Sequence, residues 1–227
     1  MAAKRKNLWS DESGAAMVEF TAAALTFFLL VFGSVEFANA YYQWNAATKA
    51  VQWGARVAAV SEPVANNLKT FTGVENGTLP GVILASGAYD CTCSGATGAC
   101  TGTMPAGALG CYYLAAPMQR IVYGAEGRTT CVASTSDRDI GMCHLFPRIL
   151  LSKVVVRYQY TGLGYAGRPG GAVPTITVSL GGTPKLQFEF ILIGGLMNAA
   201  GAAFPAAIDM PSFATTVTGE DLTAQGT

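Results

Sequence analysis

The stretch FTAAALTFFLLVFGSV, residues 20–35, decides how this chain is read. It holds no charged residue, and Glu19 and Glu36 bracket it. It is slightly shorter than the ~20 apolar residues that cross a bilayer as a helix. The apolar flanks 15–18 and 37–42 bring it into range, at the cost of placing two carboxylates near the membrane. The helical pattern then runs on through YYQWNAATKAVQWGARVAAV without a proline until Pro63. Trp44, Ala47, Thr48, Val51, Ala55 and Ala58 recur at helical spacing and predict one packed face. The expectation is a single helix from about residue 15 to about residue 60, roughly 70 Å long, with a membrane half followed by an amphipathic half. Pro63 marks its stop.

Working outward, the N-terminal 14 residues are polar, and Lys4, Arg5 and Lys6 precede the apolar run. The positive-inside rule keeps such an end in the cytoplasm. Beyond the helix the chain is rich in glycine, and its six cysteines, 91, 93, 100, 111, 131 and 143, all lie in the middle third. Zinc sites usually show paired Cys-x-x-Cys spacing, which is absent here, so an even count in a Gly/Ser/Thr-rich stretch reads as disulfides in an oxidising compartment. The expected pairing joins Cys131 with Cys143 and places Cys91 and Cys93 with Cys100 and Cys111. A direct Cys91–Cys93 bond is disfavoured, because one intervening residue gives a strained ring. Residues 64–111 read as mostly irregular, with a disulfide-stapled loop region over 81–143 and one short helix at APMQRIVYG.

From Lys153 the period switches to two. Val154, Val156, Tyr158 and Tyr160 alternate with Val155, Arg157 and Gln159; Ile176, Val178 and Leu180 alternate with Thr175, Thr177 and Ser179; and Leu186, Phe188, Phe190 and Leu192 face one way while Gln187 and Glu189 face the other. Three half-buried strands of an antiparallel sheet are predicted, with the second half of the helix as their cover. The fold class is therefore α+β: a long N-terminal helix packed on an antiparallel β-sheet, with a stapled loop region. The domain expectation is a 1–14 leader, a 15–62 helix and a 63–227 α+β domain.

Charged residues make up only 12% of the chain, against roughly 25% in an ordinary soluble domain. The fourteen basic and fourteen acidic residues balance, which leaves no basic excess for nucleic acid. His144 is the single histidine and sits beside Cys143. Sequence neighbours seldom point at each other, so a Cys–His nucleophile is not expected. Asp137 and Asp139 could touch a cation, but the regular oxygen spacing of a calcium loop is missing. The glycines of GLGYAGRPGG lack phosphate-loop spacing. No catalytic residue, cofactor or metal is expected, and the chain is not read as an enzyme. Glu19 stands apart, since an ionisable group in a membrane segment is costly and usually marks a function or a partner.

The junction SGAAMVEF, residues 13–20, resembles the class III signal of type IV prepilins: a basic leader ending in Gly14, then Ala15-Ala16-Met17-Val18-Glu19-Phe20 and an apolar helix. The resemblance implies cleavage by prepilin peptidase between Gly14 and Ala15. It also places Glu19 at the fifth mature position, where it can neutralise the new amine of Ala15 or of a neighbouring subunit. The longer segment through GARVAAV, including Glu36 in FGSVEF, is similar to the N-terminus of TadE-like proteins, pseudopilins of tight-adherence (Flp) pilus systems. VRYQYTGLGYAGRPGGAVP and ATTVTGEDL resemble the later part of such proteins more loosely. The resemblance implies a minor structural subunit with Glu19, Phe20 and Glu36 serving assembly. Its partners would be the inner membrane, prepilin peptidase and other pilin or pseudopilin subunits. It would cross the inner membrane once, N-terminus cytoplasmic and C-terminal domain periplasmic, or sit in an extracellular pilus that serves adhesion. The competing reading is a secreted or anchored periplasmic binding protein whose signal peptide is cut after Ala40, at Ala38-Asn39-Ala40. A helical pattern that runs straight through that site argues against it.

Overall fold

In a computed structural model of the chain, the residues described are 12–75, 77–105, 110–133, 136, 139–168, 172–182, 184–192, 195 and 207–219. One helix, α1, spans Glu12–Val60. It stops where Pro63 approaches, because a proline disfavours the helical conformation in the residue before it. The chain forms two compact units, one of Met1–Tyr42 with Glu189–Ile208, the other of Gln43–Phe188 with Asp209–Thr227. α1 contributes to both.

In the second unit, α1 buries Gln43, Ala46, Ala47, Ala50, Val51, Gly54, Ala55, Ala58 and Ala59. The spacing of three and four is that of one helical stripe. The stripe is rotated from the one predicted: Ala47, Val51, Ala55 and Ala58 belong to it, while Thr48 is half-buried and Trp44 lies exposed at its margin. Trp44 instead contacts Phe213 edge-on and stacks on Phe188. Small residues win the stripe because neighbouring elements come close. A Cβ on Gly54 would sit 2.5 Å from Met142 Sδ.

Five antiparallel strands form the main sheet: β1 (Asp90–Ser94), β2 (Ala99–Thr103), β3 (Val154–Gln159), β4 (Thr175–Leu180) and β7 (Ala214–Thr218), in the order β2-β1-β3-β4-β7. Val154, Val156 and Tyr158 of β3 and Ile176, Val178 and Leu180 of β4 are buried, in one core with the alanine stripe of α1. Tyr158 lies opposite Ile176, and Val156 opposite Val178. Helix α2 (Ala115–Tyr123) ends at Gly124, whose φ of 87° is the left-handed cap geometry glycine favours; its N–H donates to the Arg120 carbonyl. Helix α3 (Met142–Leu145) is a single turn.

Two expectations are corrected. The Cys-rich stretch read as irregular is a β-hairpin that adds two strands to the sheet, with Cys91 opposite Tyr158 and Cys93 opposite Val156. Cysteines at alternate positions point inward while Asp90, Thr92 and Ser94 point outward. The stretch LQFEFILI is not the third strand of the main sheet. The place beside β4 belongs to β7, a Thr-rich strand. Only β5 (Gln187–Glu189) forms there, in a separate two-stranded ladder with β6 (Ala207–Asp209). Beyond it, the N–H groups of Ile191 and Leu192 go to a side chain rather than to a strand.

Candidate membrane-anchoring and assembly site

The first half of α1 has the chemistry of a membrane segment. It is long and apolar enough to cross a bilayer, and none of its most apolar stretch is buried. Phe20 is 73% exposed, and Met17, Val18, Leu25 and Leu30 are similarly open. Three of its hydroxyls are satisfied on the helix itself: Thr21 donates to the Met17 carbonyl, Thr26 to Ala22 and Ser34 to Val31. A helix that satisfies its backbone and these hydroxyls internally is what a bilayer tolerates. Gly14 lies in open space, with no described atom within 4 Å of where a Cβ would sit. Glu19 is exposed on the same helix.

Glu36 occupies a different environment. It is only 3% exposed. Its carboxylate accepts the backbone N–H of Ile191 at 3.1 Å and also that of Leu192. One turn on, the Asn39 amide donates to the Glu189 carbonyl at 3.0 Å. Two polar side chains three positions apart on one helix face thus hold the backbone of residues 189–192. The resemblance places Glu36 among the assembly residues with Glu19 and Phe20; it lies 17 positions along α1 from Glu19.

The six cysteines form three disulfides: Cys91–Cys111, Cys93–Cys100 and Cys131–Cys143. Cys93 and Cys100 face each other across the β1–β2 hairpin. Cys131, Cys143 and His144 cluster closely enough to suggest a metal site. Thiolate, however, is the form that binds metal, and both sulfurs are bonded to each other. Both imidazole nitrogens are also engaged. Nδ1 accepts the Gly141 N–H at 3.0 Å, which leaves Nε2 to donate to the Val132 carbonyl at 2.8 Å. This pattern assigns a neutral tautomer and makes His144 a tie between α3 and the Cys131 loop. Asp137 lies outside the described residues, while Asp139 faces Arg128 at 3.5 Å. Of the GLGYAGRPGG glycines, Gly162, Gly164 and Gly167 take left-handed turn geometry.

Sequence reasoning missed Asn39 and the backbone of residues 189–192. A polar residue three positions after Glu36 was the available signal, but nothing in the local pattern pointed to a segment about 150 residues away.

Residues 14–56 match the family model described as TadE-like protein. The match covers Gly14, Glu19, Phe20 and Glu36. No curated protein and no solved structure matches the chain.

Proposed function

With a TadE-like N-terminal segment as premise, we propose that this chain is a minor pseudopilin, a structural subunit for assembly of a tight-adherence pilus. The observation that supports it most is that the matched segment carries an uncovered apolar helix headed by the Gly14–Glu19 junction. A membrane peptidase facing the cytoplasm cuts between Gly14 and Ala15. The cut removes the basic leader and creates an ammonium where the apolar helix begins. Glu19 offsets that amine, its own or a neighbour's, and its negative charge suits the positive end of the helix dipole. Phe20 and the exposed apolar face around it pack against lipid and then against other subunits as the helices assemble side by side. The second unit, braced by three disulfides, lies in the periplasm. On this reading the chain is a structural subunit rather than an enzyme, and His144 serves as a tie between α3 and the Cys131 loop.

Secretion with a cut after Ala40 fits the structure less well. α1 runs unbroken through that site, and the cut would discard Asn39 and Glu36, which hold residues 189–192.

Gly14→Leu is expected to leave a full-length precursor on immunoblots. Glu19→Ala is expected to be processed and held in the membrane, yet to form few pili, because the partner amine is left uncompensated in a low-dielectric site. Normal pilus numbers in a Glu19→Ala strain would contradict the role given to this carboxylate.

A further inference from the structure

We propose that residues 189–192 form a second membrane contact, seated in the phospholipid interface where the α1 span ends, with Ile191 as its anchor. This rests on the membrane-span reading above and adds to it a lipid-binding element from the far end of the chain.

The first argument is local. Ile191 combines a pinned backbone with an open side chain. Its N–H is held by the buried Glu36 carboxylate, while the residue itself is 68% exposed. Leu192 repeats the pattern, with its N–H on Glu36 and its side chain exposed. Water would have no need of a carboxylate to satisfy these N–H groups. The hydrocarbon edge of a bilayer would, because an unpaired backbone group is costly where water is excluded. The converse also holds: a carboxylate near the bilayer is costly alone and is stabilised by receiving two donors.

Depth gives the second argument. Glu36 follows Glu19 by 17 residues, about 26 Å of helix, against a hydrocarbon core of about 30 Å. With Glu19 at one face of the membrane, Glu36 reaches the other. Around this level Phe37 is 75% exposed, and Tyr41 and Tyr42 are exposed as well. Aromatic residues of this kind gather at membrane–water interfaces. The chain also carries no charged residue between Glu189 and Asp209, so nothing in its composition opposes contact with lipid.

The test uses the full mature protein in phospholipid vesicles. Ile191→Trp, Leu30→Trp and Val132→Trp are compared, each signal taken above that of Trp44 and Trp53, with phospholipids brominated on their acyl chains as quenchers. Leu30→Trp reports the span and Val132→Trp an exposed position in the second unit. The expected result is a blue-shifted, quenched signal for Ile191→Trp and Leu30→Trp and none for Val132→Trp. Adding Glu36→Ala to Ile191→Trp is expected to abolish the quenching while Leu30→Trp stays quenched. Quenching at Leu30→Trp without quenching at Ile191→Trp would overturn the lipid contact and leave residues 189–192 facing water or another subunit. Absence of both would mean that the span reading itself fails. Quenching that survives Glu36→Ala would overturn the role given to Glu36.

Discussion

Tyr158 shows how much one residue carries in the second unit. It is fully buried, its hydroxyl accepts the Val64 N–H at 3.0 Å, and burial pushes its pKa well above the ordinary tyrosine range. Tyr158→Phe leaves that buried N–H unpaired, and a loss of about 1–3 kcal/mol is expected in thermal melts. Tyr158→Asp buries an unpaired charge and should abolish protease resistance altogether. Its neighbour Arg157 points to the opposite face, where its guanidinium donates twice to Asp90. That hydrogen bond holds the Asp90 pKa below the usual carboxylate value. The pair therefore stabilises the fold above the unfolded Asp range, and this contribution disappears as pH falls through the lowered value. Because the pair is exposed, it should amount to less than about 1 kcal/mol. Denaturation of Arg157→Ala and the parent should accordingly differ slightly at neutral pH and converge in acid. A gap that widens in acid would contradict the assignment.

At the scale of elements, the approach of α3 to α1 depends on Gly54. Gly54→Leu should cost about 1–3 kcal/mol or more through overpacking against Met142, read as a fall in melting temperature. The Cys131–Cys143 bond closes a short loop that His144 also ties. Replacing both cysteines by serine should cost about 2–4 kcal/mol, and mass spectrometry of the unreduced parent should find no free thiol. The long helix and strands β3 and β4 were legible from sequence because their periods of 3.6 and 2 run over many residues. The hairpin β1–β2 was not, since DCTCS and ACTGT hold no Val, Ile or aromatic residue; their threonines and the alternation of Cys91 and Cys93 were its faint traces. The alanine stripe was placed with four of its members right, Ala47, Val51, Ala55 and Ala58, but with Trp44 and Thr48 wrongly included, for a related reason. Trp44 attracts attention by its size, yet close packing on α1 selects small residues. LQFEFILI shows the reverse failure: a clean alternation that forms only a three-residue strand, because tertiary bonds to Glu36 take over its backbone.

Across the whole molecule, the two ends of the sequence meet different needs. The N-terminal helix supplies an apolar surface that none of the described residues buries, and the second unit supplies a disulfide-braced core. Of the candidate site, the Gly14–Glu19 junction is a pattern of consecutive residues that sequence can display, whereas the tie from Glu36 to residues 189–192 spans most of the chain and leaves no local trace of its far end. His144→Ala should leave pilus formation intact, and loss of pili at a normal protein level would give this histidine more than a structural part. The central claim is that the helix is released by a cut between Gly14 and Ala15 and then remains the membrane anchor. N-terminal sequencing of the protein extracted from membranes tests it most directly. The account predicts a mature chain that begins at Ala15 and keeps the whole apolar helix; a mature chain beginning at Tyr41 would contradict it.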